Sequence, residues 1–216
     1  MKKLLIVLLA LSLVFAMAAC SPAEEDPAAS ANGENGGEAG AYSSSEALAL
    51  LQSGKYYMDY TAYVMDIEAD IKMAVDGDDS DVITSAMGMT ARNLMLDGMI
   101  YSFDDTTMTY TASSAADLTE AVTSGEMTEQ YQDLVFAATG NGAIPGLEEI
   151  DAAAYDYDEY TLDDISMRFY MNDSSLYAVY TAVEGIDTVM VINELSADIP
   201  EGMLVMPKGY TEAAAQ

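Results

Sequence analysis

Hydrophobic and polar positions alternate over much of this chain, which is the pattern of half-buried β-strands rather than of helices. The clearest stretch is Ile67 to Asp76, where Ile, Ala, Ile, Met and Val alternate with mostly charged residues. One face of this predicted strand is therefore buried and the other is exposed to water. The preceding stretch, Lys55 to Met65, is rich in tyrosine and predicts a neighbouring strand whose two faces are both partly apolar.

Turn residues divide the first half of the chain into hairpins. The pattern predicts one strand from Val82 to Leu96, and Asp97-Gly98 after it is the sequence most typical of a two-residue hairpin. A turn at that point fixes the pairing of the flanking strands. The cross-strand pairs predicted on one face are Leu96 with Met99, Leu94 with Tyr101 and Arg92 with Phe103. A further strand is predicted from Met108 to Thr111.

A second series of alternating segments fills the last third of the chain. Short turns rich in Asp, Asn, Ser and Gly separate these segments, so they predict a second antiparallel meander. The four predicted strands are Tyr155 to Leu162, Ile165 to Met171, Leu176 to Val183 and Thr188 to Leu195. Prolines then bracket a last short segment, Met203 to Met206, which is predicted to form an edge strand where missing ladder donors are tolerated.

Three segments have helical spacing instead. Ser43 to Ser45 offer N-caps for a short helix, Glu46 to Gln52, which Gly54 would end. Further along, Ser113 and Ser114 are predicted to cap a second helix that runs through Val122, and Thr128 to Thr139 predicts a third. The predicted fold class is therefore α+β, with an antiparallel sheet, a short N-terminal helix docked on it and the two later helices covering one face as a lid.

The chain begins with a secretory signal. Lys2 and Lys3 precede an apolar run, and small residues lead up to Cys20, the only cysteine. This arrangement resembles the lipobox of bacterial lipoproteins, with Met17 in place of the usual leucine three residues before the cysteine. The resemblance implies that Cys20 carries a diacylglyceryl group, which would hold the chain firmly at a membrane. The alternative is an ordinary signal that leaves Cys20 as a free thiol.

Beyond the predicted signal peptide, residues 1–19, the sequence divides into three parts. Residues 20–42 contain the predicted lipidated cysteine and an acidic stretch of Ala, Glu, Gly, Ser, Asn and Pro, which predicts a disordered tether. Such a coil has a root-mean-square reach of about 26 Å. Residues 43–210 are predicted to form one folded domain, and residues 211–216 a tail. We therefore expect an extracytoplasmic protein anchored to a bacterial membrane.

The composition excludes several classes of function. Seven basic residues stand against 37 acidic ones, for a net charge of −30, so phosphate backbones and anionic lipid surfaces are repelled by this chain. We therefore expect no nucleic-acid partner. The sequence has no histidine and no second cysteine, which excludes Ser-His and Cys-His nucleophiles and histidine metal sites. A carboxylate pair remains open among so many acids, but no motif supports one, so the chain is predicted not to be an enzyme and to need no cofactor.

Two stretches superficially suggest metal binding. The acidic run Asp76 to Asp81 is similar to the start of a calcium loop, but Met87 stands where the loop requires a bidentate glutamate. We interpret the run as a solvated hairpin turn, with weak calcium binding as the alternative. The methionines around Met87-Gly88-Met89 and Met95 could bind a soft metal, but without His or Cys nearby they are expected in the core. No metal site is predicted.

The order of the predicted elements resembles the half-barrel superfamily of lipoprotein carriers and related lipoproteins. The similarity covers residues 43 to 210 and includes the segments Leu96 to Tyr101, Leu176 to Val179 and Ile199 to Tyr210. It implies a curved antiparallel half-barrel that wraps around helices and encloses an apolar cavity, which in several members holds acyl chains. The carrier branch uses a cavity arginine, but the local sequence assigns that role to neither Arg92 nor Arg168, the two arginines of this chain.

The function predicted from this class is binding of a lipid or another apolar ligand in the concave face of the sheet. For each candidate lining residue, ordinary core packing is the alternative. The candidates are Ile71, Met73, Val75, Leu94, Leu96, Tyr101, Phe103, Phe169, Met171, Val189 and Val191. A second hypothesis is an envelope interaction or structural lipoprotein without a small ligand, which would meet a protein partner through an exposed segment such as Tyr155 to Tyr160. In the alternative interpretation of that segment, its tyrosines pack and its acids face water.

Overall fold

The computed structural model describes residues 42–65, 67–115, 131–162, 165–183 and 185–213. The predicted signal peptide, Cys20 and the tether as far as residue 41 lie outside the described residues. Within the described ranges, no helix combines the length and the apolar character needed to span a bilayer.

A single short helix, α1 (Ser44–Gln52), opens the described fold. It begins as predicted, because the Ser43 hydroxyl accepts from the backbone N–H of Glu46 while the Glu46 carboxylate accepts from the backbone N–H of Ser43 at 2.9 Å. Such a capping box satisfies two of the free donors at a helix start. The Ser43 hydroxyl also donates to the Glu46 carboxylate at 2.7 Å, and this bond, together with the one from the Ser43 N–H, lowers the pKa of Glu46. Gly54, with φ of 68°, turns the chain directly into the sheet, and Leu51 is buried against that sheet.

The strands form one twelve-stranded sheet that is antiparallel except at one edge. Its spatial order is β12-β6-β5-β4-β3-β2-β1-β11-β10-β9-β8-β7, so two sequential meanders meet where β1 pairs with β11. The strands are β1 Lys55–Val64, β2 Ile67–Asp76, β3 Asp79–Ala86, β4 Met89–Leu96, β5 Met99–Asp104, β6 Thr109–Ser114, β7 Val135–Gly142, β8 Tyr155–Leu162, β9 Ile165–Asn172, β10 Ser175–Val183, β11 Ile186–Ser196 and β12 Thr211–Glu212.

The predicted hairpin at Asp97-Gly98 is confirmed in type and in register. Leu96 pairs with Met99, Leu94 with Tyr101 and Arg92 with Phe103. Both turn residues have positive φ, as this tight turn requires. The strand predicted from Val82 to Leu96, however, is two strands, because Met87-Gly88 forms a second turn of the same kind with φ of 52° and 75°. The prediction was wrong there because methionine is not a usual turn residue.

The predicted helical lid is only partly testable and is wrong where it can be tested. Ser113 and Ser114 end β6 rather than cap a helix, and they pair with Ile100 and Met99. Residues 116–130 lie outside the described residues. Of the third predicted helix, only Tyr131 and Gln132 are helical, and the chain enters strand β7 at Val135. Pairing with β8 outweighs the helical spacing of this segment, since propensity is a weak guide against tertiary contacts.

The C-terminal region also differs from the prediction. Met203 to Met206 do not form an edge strand; instead residues 200–210, which we call the C-terminal strap, cross one face of the sheet. The edge strand is β12, where Thr211 and Glu212 pair in parallel with Thr109 and Tyr110. The sheet as a whole is not strongly curled, so the predicted half-barrel is confirmed as an antiparallel sheet with an N-terminal helix but not as a deeply curved one.

Both faces of the sheet are covered, by different parts of the chain. The helix side carries α1 and the larger apolar cluster, which includes Tyr56, Ile71 and Phe169. On the opposite face the loop between β7 and β8 covers one end through Ile144 and Leu147, which are 0% and 1% exposed. The C-terminal strap covers the other end of that face. Predicted site residues can therefore lie together only if they project from the same face of the sheet.

Candidate functional site

The layer between α1 and the sheet, which we call the helix-side layer, contains four of the predicted lining residues. Ile71, Met73 and Val75 come from β2, and Phe169 comes from β9, four strands away in the sheet. Their exposed fractions are between 0% and 2%. They belong to one continuous cluster, so the structure brings these four residues together as a common apolar surface.

Three tyrosines place phenol groups inside this layer. Tyr56 and Tyr60 project from β1, and Tyr131 lies just before β7, where its backbone carbonyl accepts a hydrogen bond from Gln52 at 2.7 Å. Burial raises the pKa of all three, and the proximity of Tyr131 adds to the rise at Tyr56 and Tyr60. The phenols therefore stay protonated and can donate. The buried hydroxyl of Tyr56 has no hydrogen-bond partner among the described residues.

Methionine makes up much of the rest of the layer. Met58, Met73, Met167 and Met190 are each between 2% and 7% exposed and come from four different strands. Their flexible thioethers adapt to irregular neighbours better than branched side chains do. The helix-side layer thus combines a deformable apolar lining with a few buried polar groups, which is the composition of small-molecule sites.

Six predicted lining residues lie on the opposite face and do not meet the four above. Their strands place them at the two ends of that face. The residues are Leu94, Leu96, Tyr101 and Phe103 at the strap end, and Val189 and Val191 near the loop between β7 and β8. The remaining candidate, Met171, is half-buried near the end of β9. No single surface gathers the eleven candidates, because odd and even positions of neighbouring strands alternate between the faces.

A buried ion pair holds the C-terminal strap on the sheet. Asp81, whose side chain is fully buried, accepts from Nε of Arg92 at 2.9 Å and from the backbone N–H of Leu204 at 3.2 Å. Arg92 also donates to the carbonyl oxygens of Gly202 and Val205 at 3.1 and 3.4 Å. We call these contacts the strap clamp. The predicted solvated turn therefore ends before Asp81, whose partners come from the neighbouring strand β4 and from the C-terminal strap.

The second arginine also lies away from the helix side. Arg168 is bound to Glu159 at 3.1 Å, and its guanidinium lies 5.0 Å from the ring centre of Tyr157. Hydrogen bonds from Ser166 and Arg168 lower the pKa of Glu159 despite its partial burial. Neither arginine of the chain therefore enters the helix-side layer, and the cavity arginine of the carrier branch has no counterpart there.

The segment Tyr155 to Tyr160 is largely packed, as its alternative interpretation expects. Tyr155 and Tyr177 both donate to one carboxylate oxygen of Asp151, at 2.7 and 3.0 Å. These hydrogen bonds lower the pKa of Asp151 and raise that of Tyr155 to about 12. The acids do not all face water, however, because Asp158 accepts a hydrogen bond from Ser44 of α1.

The predicted metal alternatives find no geometric support among the described residues. No group of three or more His, Cys, Asp or Glu is placed to hold a metal ion there. Met87 and Met89 are 62% and 49% exposed at a turn, which contradicts their expected place in the core, whereas Met95 is buried as expected. A cleft of about 370 Å³ runs along this turn, and it is polar, with Glu68 and Asp70 among its lining residues.

Comparison with known proteins finds distant structural similarities alone. No protein-family model matches the chain, and no curated protein matches it. The structure is similar to LprF from Mycobacterium bovis, with 11% identity, a TM-score of 0.43 and coverage of 74% of this chain and 97% of that one. It is also similar to an uncharacterized conserved protein from Thermus thermophilus, with 10% identity, a TM-score of 0.43 and coverage of 78% and 97%.

A third similar structure is the lipoprotein LppX from Mycobacterium tuberculosis, with 13% identity, a TM-score of 0.38 and coverage of 73% of this chain and 99% of that one. The resemblance expected from the sequence is thus confirmed as a distant structural similarity.

Proposed function

We propose that this chain is an extracytoplasmic lipoprotein, held at a bacterial membrane through lipidated Cys20, that binds a lipid or another apolar ligand in the helix-side layer. The observation that carries the proposal is the make-up of that layer, where methionines from several strands surround buried phenols. The buried Tyr56 hydroxyl without a partner among the described residues supports it further. An unpaired buried hydroxyl is unfavourable, and a ligand's polar group would satisfy it.

In this proposal, side chains of the helix-side layer contact both the apolar and the polar end of the ligand. An acyl chain would lie against Met58, Met73 and Met167, whose side chains can move apart without leaving staggered conformations. The polar end of the ligand would accept a hydrogen bond from Tyr56. No catalytic step and no cofactor are part of the proposal.

The anchor gives the first prediction. Replacing Cys20 with alanine is expected to abolish incorporation of radiolabelled palmitate, because the thioether attachment point is lost. Cells carrying the variant should also show the chain in the soluble rather than the membrane fraction. The matched control is Ser21→Ala, which should leave palmitate labelling intact. Labelling that persists in Cys20→Ala would contradict attachment of the lipid at Cys20.

The ligand gives the second prediction. The chain beginning after Cys20, purified from its own host without detergent, is expected to show a bound amphiphile by native mass spectrometry. It should also bind cis-parinaric acid with a Kd in the range of about 1 μM. Tyr56→Phe removes only the hydroxyl, so it should weaken binding of the acid by roughly tenfold, the value of one buried hydrogen bond. Tyr63→Phe, on the opposite face, is the matched control.

The alternative function is an envelope interaction or structural lipoprotein whose interior is filled by its own side chains. The close packing of Ile71, Val75 and Phe169, at 0% to 2% exposure, favours it. Absence of any amphiphile in the native spectrum, together with no binding of cis-parinaric acid, would decide for this alternative.

A further inference from the structure

The hairpin turns at the two ends of the sheet differ in chemistry. At one end the turns are polar and contain Gly77-Asp78, Asp97-Gly98 and Asp173-Ser174. We call this end the polar rim. At the other end large apolar side chains, most of them methionine, are exposed beside acids, and we call it the methionine rim. Its members are Met65, Met87, Met89, Met108 and Ile186.

The exposure of the methionine rim is large and one-sided. Met65 and Met87 are 63% and 62% exposed, and Met108 is 44% exposed. Val135 and Phe136, at the same end of edge strand β7, are 65% and 55% exposed. Most exposed large apolar side chains of the described residues therefore lie at this end, whereas scattered single ones would be ordinary.

The backbone gives no reason for methionine at these positions. Met65, Met87 and Met108 have φ of 55°, 52° and 53°, a conformation in which Asn, Asp or Gly is preferred. The Asp97-Gly98 turn of the polar rim has nearly the same φ values as Met87-Gly88, but carries the usual polar residue. Methionine is thus placed three times where both solvent exposure and backbone conformation disfavour it, so a role in binding explains it better than folding does.

We propose that the methionine rim docks onto a partner protein whose contact surface is apolar at its centre and basic around it. Methionine suits such contacts because its side chain adapts to different apolar surfaces. Exposed acids flank the rim, among them Glu68, Asp105 and Asp187, and the chain carries a net charge of −30, so basic groups on the partner would be complementary. The same charge disfavours an anionic lipid surface.

Under the proposed anchoring through Cys20, the position of the first described residue supports a partner away from the membrane. Tyr42, the first described residue, accepts a backbone hydrogen bond from Leu176 near the start of β10, which lies close to the polar rim. The methionine rim is at the far end of the strands. A tether that enters beside the polar rim therefore favours presentation of the methionine rim outward.

The test uses the full mature chain and a triple variant, Met65→Asn, Met87→Asn and Met108→Asn. Asparagine is favoured at positive φ, so the variant should fold with a Tm no lower than that of the parent, and its charge is unchanged. The probe is a synthetic amphipathic helix of Leu and Lys, whose affinity is expected to fall at least tenfold in the variant. The control is a double variant of the polar rim, Asp97→Asn with Asp173→Asn, which should change the affinity for this helix less than threefold.

Several outcomes would overturn the proposal. One is that parent and triple variant bind the Leu/Lys helix equally well. Another is that the parent binds a Leu/Glu helix as tightly as the Leu/Lys helix. Binding of the parent, but not of the variant, to phosphatidylcholine vesicles would assign the rim to a membrane instead. In cells, a photo-crosslinker at position 87 should give a protein adduct that the control at position 78 lacks. Lipid adducts, adducts of twice the chain's own mass, or no adduct at position 87 would each contradict a partner protein.

Discussion

Replacing Arg92 with methionine is expected to lower the free energy of unfolding by about 3 to 5 kcal/mol. The guanidinium is the cation of the strap clamp, and its removal leaves the fully buried carboxylate of Asp81 without a counter-charge. The carbonyl oxygens of Gly202 and Val205 lose a donor as well. Urea denaturation followed by circular dichroism measures the change, and hydrogen exchange at residues 202–205 should show that the C-terminal strap is released first.

The chain contains a matched control for this prediction. Lys55 and Asp76 form an ion pair of 2.7 Å, but their side chains are 58% and 46% exposed. Lys55→Met is therefore expected to cost less than about 1 kcal/mol. Replacing both members of the buried pair, Arg92→Met with Asp81→Leu, should recover part of the loss because no uncompensated charge remains. If the Arg92 and Lys55 variants were equally stable, the clamp would have no structural role.

A single methyl group added at Gly140 is expected to lower the free energy of unfolding by about 1 to 3 kcal/mol. A Cβ atom there would lie 2.3 Å from the ring of Tyr157, which pairs with Gly140 across strands β7 and β8. That ring cannot turn aside freely, because Tyr170 lies 5.1 Å from it and the Arg168 guanidinium 5.0 Å from it. Thermal unfolding of Gly140→Ala measures the loss.

Gly142 in the same strand provides the comparison, since a Cβ at that position meets nothing within 4 Å. Gly142→Ala should be neutral or stabilising by up to about 1 kcal/mol, because glycine is unfavourable in a strand. In a Tyr157→Ala background the Gly140→Ala change should lose most of its cost. An unchanged cost there would show that something other than the ring requires glycine.

Much of the sheet follows from local sequence. Alternation alone identifies the strands on both sides of Asp97-Gly98, because side-chain burial on one face imposes a period of two residues. The turn residues then fix the register. Recognition of turns from their residues fails at Met87-Gly88, because Met87 adopts a positive φ that methionine rarely has. The segment of strand β7 has apolar residues at helical spacing, and its pairing with β8 is a tertiary contact that no local pattern reveals.

The candidate site was less predictable than the fold. Alternation shows that Ile71 and Leu94 are each buried on one face of a strand, but not that they are buried on opposite faces of the sheet. That distinction depends on what covers each face, and the covering segments come from α1, the loop before β8 and the C-terminal strap. Leu204, one of the partners of Asp81, is 123 residues away in the chain, so the local sequence does not show that Asp81 leaves the solvated turn.

The meeting of the two meanders at β1 and β11 has a consequence for folding during synthesis. Pairs such as Tyr63 with Val189 form only after strand β11 has emerged, about 120 residues behind the end of β1. Until then β1, which is partly apolar on both faces, has an unpaired edge on one side. A newly synthesised chain is therefore vulnerable to self-association for an interval, and a holding chaperone would protect it at the centre of the future sheet.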